Sequence, residues 1–244
     1  MTAIDPNSTL SSIATAHPGL VRELERRGLD YCCHGDRSIA DACDAADLDP
    51  STVVEDLRAA VLLSTDESWA DLDPAALVDH IEAVHHRYLW DELPRLQVLV
   101  DKVVAVHGAR HPELEEVAEC LSAVRADLEP HLTKEERVLF PMIRELSTAT
   151  SRSRFRCGRV TTPISMMTLE HERSGQLLAQ LRTATNAYHT PDDACASYRV
   201  LYDGLAQLES DTHVHIHKEN NLLFPAVAQI DQQLPEIADM HPTP

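Results

Sequence analysis

Apolar residues recur at intervals of three and four along most of the chain between about residues 73 and 230. This spacing places them on one face of an α-helix, which completes a turn in about 3.6 residues. Four long helices are predicted at about residues 73–107, 112–146, 163–188 and 190–230, with the polar and basic stretch 147–162 as a loop. Alternating runs of Val and Ile are rare and only 7 residues are glycine, so the predicted fold class is all-α.

A shorter helical pattern precedes these four segments. Residues 10–60 carry three predicted helices, of which the first stops near Gly28 and the last begins near Pro50. The polar stretch 64–71 is typical of a linker. We therefore expect two domains: a small helical domain at residues 1–65, and an up-down four-helix bundle at residues 72–235.

Helix bundles bury a seam of residues that steps by three and four along each helix. A His and a Glu interrupt this apolar seam in the second and again in the fourth predicted helix. A charged carboxylate on a buried seam costs several kcal/mol unless something compensates it, and a bound cation does so. The two predicted seams are Val117, Leu121, Val124, Leu128, His131, Glu135, Val138 and Met142, and Leu201, Leu205, Leu208, Thr212, His215, Glu219, Leu222 and Ala226.

Both interruptions belong to a longer motif that occurs twice. Residues 131–141 and 215–225 each read His-x-x-x-Glu, then two polar residues, two aliphatic residues, and Phe-Pro. Because positions four apart lie on the same helix face, each copy directs one imidazole and one carboxylate to the same side. One His-x-x-x-Glu is common on solvated helices, but two copies with the same Phe-Pro ending indicate a metal site.

Further imidazoles fall on the seams of the other two helices. His86 lies on the first seam, whereas His85 shares a face with Glu92 and Arg95 and is expected to be half exposed. His171 is the imidazole on the third seam. A rise of about 1.5 Å per residue in alternating helices puts all these groups at one level. The predicted ligands are His86, His131, Glu135, His171, His215 and Glu219.

The composition of this ligand set narrows the choice of metal. Four imidazoles and two carboxylates exceed what one tetrahedral zinc ion needs, and calcium or magnesium sites built from oxygen do not use four histidines. Two carboxylates that can bridge, with two imidazoles for each metal, suit a pair of iron or manganese ions in a bundle core. Such a pair keeps room for an oxo or hydroxo bridge and for an outside ligand.

Charge and composition narrow the partners. The net charge of −19 disfavours binding to nucleic acid or to an anionic membrane surface. No apolar run approaches the roughly 20 residues needed to cross a bilayer. The first 20 residues lack a basic region followed by an apolar core, so we expect no signal peptide. The six cysteines are spread widely, which is typical of reduced thiols, so we expect a cytoplasmic protein.

Together, these motifs resemble those of the di-iron, hemerythrin-like proteins of the iron–sulfur cluster repair (RIC) family. The resemblance covers nearly the whole chain. Residues 30–35, Asp-Tyr-Cys-Cys-His-Gly, resemble the Cys-Cys motif of that family's N-terminal domain. The two His-x-x-x-Glu motifs and residues 163–172 resemble the motifs of its second, fourth and third bundle helices, and His86 fits the ligand position of the first.

The resemblance implies repair or maintenance of iron–sulfur clusters after oxidative or nitrosative damage. It also implies two non-haem iron ions with an oxo or hydroxo bridge, and Glu135 and Glu219 as bridging carboxylates. Iron–sulfur proteins or their assembly machinery are the implied partners, O2 and NO the small ligands, and a homodimer is compatible with the sequence. Asp127 and Glu170 fall where the family carries acidic groups along a polar path to the metals.

Two features leave alternatives open. Cys32 and Cys33, beside His34, are candidate redox thiols, nucleophiles or transient ligands of iron, and a purely structural thiol pair is the alternative. Pro130 lies inside the second predicted helix and predicts a kink next to His131, since proline removes a backbone hydrogen bond.

Two further functions also remain open from the sequence. The bundle is compatible with a hemerythrin-like module that binds or senses O2 or NO, although hemerythrin carriers have five histidines and these seams offer four. An enzyme that reduces NO or peroxide is the other option, with electrons from elsewhere because no flavin or dinucleotide motif is visible. Whether the protein is an enzyme is left undecided.

Overall fold

The computed structural model describes residues 4–61, 69, 72–151 and 159–235. Within these ranges the regular structure is helical, apart from one isolated bridge between Thr9 and Ser38. The all-α prediction is therefore confirmed. In the same ranges, no helix combines the length and the apolar character that a membrane-spanning segment requires.

The N-terminal unit consists of four short helices around its own core. They are α1 (Leu10–Ala16), α2 (Val21–Arg26), α3 (Ile39–Ala45) and α4 (Pro50–Val61), with a 3-10 turn at Pro18–Leu20. The Thr9 and Ser38 side chains cap α1 and α3 by accepting hydrogen bonds from backbone N–H groups. The sequence predicts one helix up to Gly28, but the structure divides this stretch at the Pro18–Leu20 turn into α1 and α2. The helical segment stops near the predicted place, because α2 ends at Arg26, shortly before Gly28, whose φ of +68° is a left-handed conformation that glycine adopts without strain.

Four long helices follow, three of them divided by an irregular turn. The first contains α5 (Pro74–Ile81) and α6 (Arg87–His107), and the second contains α7 (Glu113–Lys134) and α8 (Phe140–Thr148). The third is α9 (Thr161–Ala184), and the fourth contains α10 (Ala196–Lys218) and α11 (Phe224–Gln233). Consecutive helices pack on each other and the fourth packs on the first, which closes the predicted up-down bundle.

The irregular turns are single π-helical turns at Glu82–His86, Glu135–Leu139 and Glu219–Leu223. Each one begins or ends at a predicted ligand, and π turns of this kind are often found at functional sites. In the second and fourth helices, the N–H of the Phe in the Phe-Pro pair donates to the Glu carbonyl five residues earlier. The proline that follows has no N–H with which to restore the regular α-helical pattern.

The π turns shift the buried seam by one residue. Val138, predicted to be buried, is 44% exposed, and its neighbour Leu139 is 1% exposed. In the fourth helix Leu223 is fully buried, whereas Leu222 is only partly buried. The extra residue in each π turn explains both errors. The buried series run Glu135, Leu139, Ile143 and Glu219, Leu223, Val227.

Pro130, where the sequence predicts a kink, does not interrupt the helix. The helix α7 continues through Pro130 to Lys134, and the irregularity comes at the π turn that starts with Glu135. His131 and Glu135 keep their alignment, with 3.2 Å between Nε2 and Oε2.

The N-terminal unit packs directly against the fourth bundle helix. Ile216 belongs to the apolar core of the N-terminal unit, and Thr15 Oγ1 lies 3.2 Å from His217 Nε2. Ser210 donates a hydrogen bond of 3.0 Å to Glu25. The Cys-Cys loop is thereby held beside the bundle.

Candidate metal centre

The structure brings the six predicted ligands together at one level of the bundle core. Each of these side chains is buried, with at most 1% of its surface exposed. Their ligand atoms form two groups that share both carboxylates, and the atoms within each group lie within 4.8 Å of one another. One group contains His86 and His215, the other His131 and His171, and both contain Glu135 and Glu219.

The imidazoles point their Nε2 atoms into the shared space. The Nε2 atoms of His86 and His215 are 3.2 Å apart, and those of His131 and His171 are 3.1 Å apart. His171 Nε2 lies 3.1 Å from Glu219 Oε2, and His215 Nε2 lies 3.2 Å from Glu219 Oε1. Glu135 Oε2 likewise lies 3.5 Å from His86 Nε2 and 3.2 Å from His131 Nε2. Each carboxylate is therefore within reach of imidazoles from both groups, as a bridging ligand would be.

The surroundings of the two carboxylates show whether the site suits a cation. Although imidazole nitrogens are close, none has the alignment of a hydrogen bond to these oxygens. All four oxygens of Glu135 and Glu219 are therefore buried without a hydrogen-bond partner among the described residues. Two buried carboxylates would be strongly destabilising without positive charge beside them, which either protonated imidazoles or bound cations can supply. The donor set thus fits bound cations.

The site groups are strongly coupled electrostatically. Burial and the charge of Glu219 raise the pKa of Glu135, but the attraction of His131 and His86 outweighs them and lowers that pKa to about 2. Burial lowers the pKa of His131, but Glu135 and Glu170 outweigh it and raise that pKa to about 10. Because a ligating imidazole must lose its proton, a cation that binds here displaces protons.

Three of the four imidazoles are oriented by an acceptor at the outer nitrogen. An imidazole that ligates through Nε2 carries its proton on Nδ1, and a fixed acceptor there holds the ring in place. His215 Nδ1 is buried and has no such partner among the described residues. The Nδ1 contacts are His86 with Glu136 at 3.0 Å, His131 with Glu170 at 2.9 Å, and His171 with Asn220 at 2.9 Å.

Glu136 and Asn220 were missed by sequence reasoning, although the motif contains their signal. Each occupies the first polar position after the Glu of a His-x-x-x-Glu copy. Each side chain orients a histidine of a different helix, namely His86 for Glu136 and His171 for Asn220. Glu136 also accepts a hydrogen bond of 2.8 Å from Trp90. The repeat therefore contains residues that orient the predicted ligands as well as two of the predicted His and Glu pairs.

The two acidic residues proposed for a polar path lie in different settings. Glu170 contacts the predicted ligand His131 and pairs with Lys134, and the hydrogen bond with His131 is the main cause that lowers the pKa of Glu170 to about 2. Asp127 accepts a hydrogen bond of 2.7 Å from Ser174 and pairs with Arg173 at 3.0 Å. The path that would join them to the metals stays a prediction.

The expectation that His85 is half exposed was wrong. His85 is 3% exposed, and its ring stacks on that of His215 at a centroid distance of 5.6 Å. Its nitrogens lie 3.0 Å from Asp211 and 2.8 Å from Lys218 Nζ. A π turn rotates less per residue than an α turn, so His85 and His86 both stay on the inner half of the helix.

Lys218 is a buried cation next to the site that the sequence patterns did not predict. It is 2% exposed, and its Nζ lies 2.8 Å from His80 Nε2 and 4.3 Å from the centre of the Trp69 ring. Burial lowers the pKa of Lys218 to about 8. A lysine inside a polar motif is normally expected to be exposed to solvent. The burial of Lys218 therefore becomes visible only in the packed structure.

The Cys-Cys loop contacts the bundle beside the predicted ligands His171 and Glu219. The side-chain amides of Asn220 and Asn221 donate hydrogen bonds of 3.3 and 3.0 Å to the Cys32 carbonyl. Cys33 Sγ lies 3.7 Å from the backbone oxygen of His171. The proximity of Cys33, burial and Asp30 together raise the pKa of the Cys32 thiol well above its usual range.

The fold and the converging His and Glu side chains are typical of metal-binding four-helix bundles. Residues 77–227 match the family model of the hemerythrin HHE cation-binding domain, and residues 6–61 match a domain of unknown function, DUF542. The chain thus carries a cation-binding bundle.

Curated relatives cover most of the chain. A probable iron–sulfur cluster repair protein of Haemophilus influenzae is 33% identical over 221 residues, which is 89% of this chain and 95% of that protein. The iron–sulfur cluster repair protein YtfE of Cronobacter sakazakii is 31% identical over 216 residues, 88% of this chain and 94% of that one. The chain belongs to the hemerythrin-like family of iron–sulfur cluster repair proteins, which confirms the resemblance of the motifs.

Proposed function

We propose that this protein holds two non-haem iron ions in its bundle and uses them to repair or maintain damaged iron–sulfur clusters. The observation that carries the proposal is the pair of His and Glu groups that share two buried carboxylates. An oxo or hydroxo bridge between the ions completes the proposed centre. The names of the relatives support the repair function.

In this proposal, His86, His131, Glu135, His171, His215 and Glu219 hold the metals. When bound, the iron pair supplies one-electron chemistry and affinity for small diatomic ligands. The protein orients the imidazoles through their outer acceptors. Apolar rings exclude water, since Phe140 lies 5.2 Å from the His86 ring and Phe224 stacks 5.9 Å from the His171 ring.

Among the possible repair functions, we favour iron donation, because the two groups of imidazoles are not held equally firmly at their outer nitrogens. Both imidazoles of the His131 and His171 group have a fixed outer acceptor, whereas His215 in the other group has none among the described residues. A ring without that acceptor is less firmly oriented and loses its metal more readily. Protons that return to the imidazoles would assist release.

Metal analysis with Mössbauer spectroscopy of the native protein tests the proposal. We expect two irons per chain with the signature of a coupled pair, and loss of the pair in Glu135→Ala. Glu145→Ala removes an exposed carboxylate on the same bundle helix and should keep both irons. Mononuclear zinc in protein purified from iron-replete cells would contradict the proposal.

A sensing function is the second candidate, because a direct link joins the site to the N-terminal unit. Asn220 contacts both the ligand His171 and the carbonyl of Cys32. A small ligand such as NO that moves His171 would therefore also move the Cys-Cys loop. Stopped-flow mixing of the reduced protein with O2 separates the functions, since a stable complex favours a carrier or sensor and rapid irreversible oxidation favours repair or turnover.

The same proposal includes two domains, the partners of the protein and the compartment in which it works. A division into domains at residues 1–65 and 72–235 is supported by the separate apolar cores of the N-terminal unit and the bundle. Iron–sulfur proteins or their assembly machinery, in the cytoplasm, are the partners that cluster repair would require.

A further inference from the structure

Outside the bundle core, the described residues contain another cluster of metal-ligating side chains. Asp30, Cys32 and Cys33 offer ligand atoms that lie within 4.8 Å of one another. Cys32 Sγ is 3.3 Å from Asp30 Oδ1 and 3.8 Å from Cys33 Sγ. Cys32 is buried, Cys33 is half-buried and Asp30 is exposed, so the cluster is reached from one side.

The separation of the sulfurs fits one shared cation. Two thiolates on a tetrahedral metal at about 2.3 Å each stand about 3.8 Å apart. The observed 3.8 Å between Cys32 Sγ and Cys33 Sγ agrees with that value. A disulfide would need the same atoms at about 2.05 Å, which adjacent cysteines reach only by closing a strained ring.

The contacts that hold these groups in place use no side chain of a predicted bundle ligand. Asp30 Oδ1 accepts hydrogen bonds from the backbone N–H groups of Cys32 and Cys33, at 3.1 and 2.9 Å. The other carboxylate oxygen lies 2.7 Å from His34 Nδ1. Asn221 fixes the Cys32 carbonyl from the fourth bundle helix. Little ordering is therefore required when a cation binds.

The surroundings favour a positive ion. A cavity of about 300 Å³ lies beside the loop, and both cysteines line it. Glu25, Glu172 and Glu209 line the same cavity, and its Arg182 is paired with Glu209 at 2.7 Å. A cleft lined mainly by one sign of charge concentrates ions of the opposite sign.

We propose that Asp30, Cys32 and Cys33 form a third cation site, which takes one divalent transition-metal ion. As the ion binds, both thiols release their protons and two sulfur–metal bonds form, with no change of oxidation state. Thiolate ligands favour such ions over Mg2+ and Ca2+. The site uses atoms separate from the bundle centre and goes beyond the proposed function.

Cobalt titration of the full-length protein tests this site. The bundle is first filled with iron under anaerobic, thiol-reducing conditions, and Co2+ is then added. One further equivalent should bind with a thiolate-to-cobalt charge-transfer absorption. Cys32→Ser and Cys33→Ser should each weaken that absorption, and the double variant should lose it. His34→Ala should weaken binding by roughly ten-fold, because it removes the contact that orients Asp30.

The controls separate this site from both misfolding and the bundle centre. Cys195→Ser, at an exposed free cysteine, should keep the full absorption. Retention of two irons per chain in the Cys32 and Cys33 variants shows that they are folded. An absorption that is missing in the wild type, or that persists in Cys32→Ser/Cys33→Ser, overturns the third site. If Glu135→Ala loses iron but keeps the cobalt absorption, the third site is supported as independent of the bundle centre.

Discussion

His171 Nδ1 lies 2.9 Å from Asn220 Oδ1, so that a residue of the fourth bundle helix orients a predicted ligand of the third. The amide nitrogen of the same Asn220 side chain lies 3.3 Å from the Cys32 carbonyl. One amide group thereby spans the distance between the metal centre and the Cys-Cys loop. Changes at either end are expected to reach the other through this side chain.

Replacement of Asn220 should therefore weaken metal binding. We expect Asn220→Ala to lower the affinity for iron by roughly 10- to 100-fold, the usual effect of losing a partner that orients a ligating histidine. Competition with a ferrous chelator measures that affinity. Asn221→Ala is the matched control, since Asn221 contacts the Cys32 carbonyl and His217 instead. Equal losses in the two variants would contradict a specific function of Asn220.

If the bundle holds two irons as proposed, chelation should remove them in separate phases. The ion held by His86 and His215 is expected to leave first, because His215 Nδ1 has no acceptor among the described residues. Glu136→Ala frees the His86 ring and should accelerate the fast phase, whereas Glu170→Ala frees His131 and should accelerate the slow phase. Stopped-flow absorbance with a ferrous chelator records both. The opposite assignment, or a single phase in all three proteins, would refute this order.

Metal binding should release protons and strengthen as the pH rises. The pKa of His131 is raised to about 10 by Glu135 and Glu170 against the effect of burial. The metal-free imidazole therefore carries a proton at neutral pH, and a cation must displace it. Affinity should increase with pH until that value is reached. Calorimetry in buffers of different ionisation enthalpy counts the protons, and an affinity independent of pH would be incompatible with this coupling.

The same pKa values make the stability of the metal-free protein depend on pH. A raised pKa means that the paired, charged His131 stabilises the fold below the unfolded-state pKa of about 6.5, and that this contribution is lost as the pH rises towards about 10. The lowered pKa of Glu135 acts in the opposite direction, and its contribution is lost as the pH falls from about 4.5 towards about 2. Denaturant unfolding of the metal-free protein should show maximum stability between these limits.

The π turn of the second bundle helix makes opposite predictions for two adjacent residues. Leu139→Ala should lower the free energy of unfolding by about 2–5 kcal/mol, because it leaves a cavity in the core. Val138→Ala should change it by less than about 0.5 kcal/mol, since Val138 is 44% exposed. A regular α-helix would reverse these effects. Urea unfolding of both variants therefore tests the register directly.

The sequence by itself determined the helical class and the residues that meet in the core. Steps of three and four specify which face of a helix is buried, and that local rule selected His86 and His171 as well as the repeated His and Glu pairs. It works because helical geometry depends on neighbours in the chain. The assignment of these six residues as metal ligands stays a prediction.

Only the tertiary structure decided how the ligands are oriented and where the seam changes register. The π turns insert one extra residue, which buries Leu139 rather than Val138 and keeps His85 inside with His86. The acceptors of His86 and His171 come from other helices, at Glu136 and Asn220. Such contacts join residues 49 or 50 positions apart, so they depend on packing that no local periodicity contains.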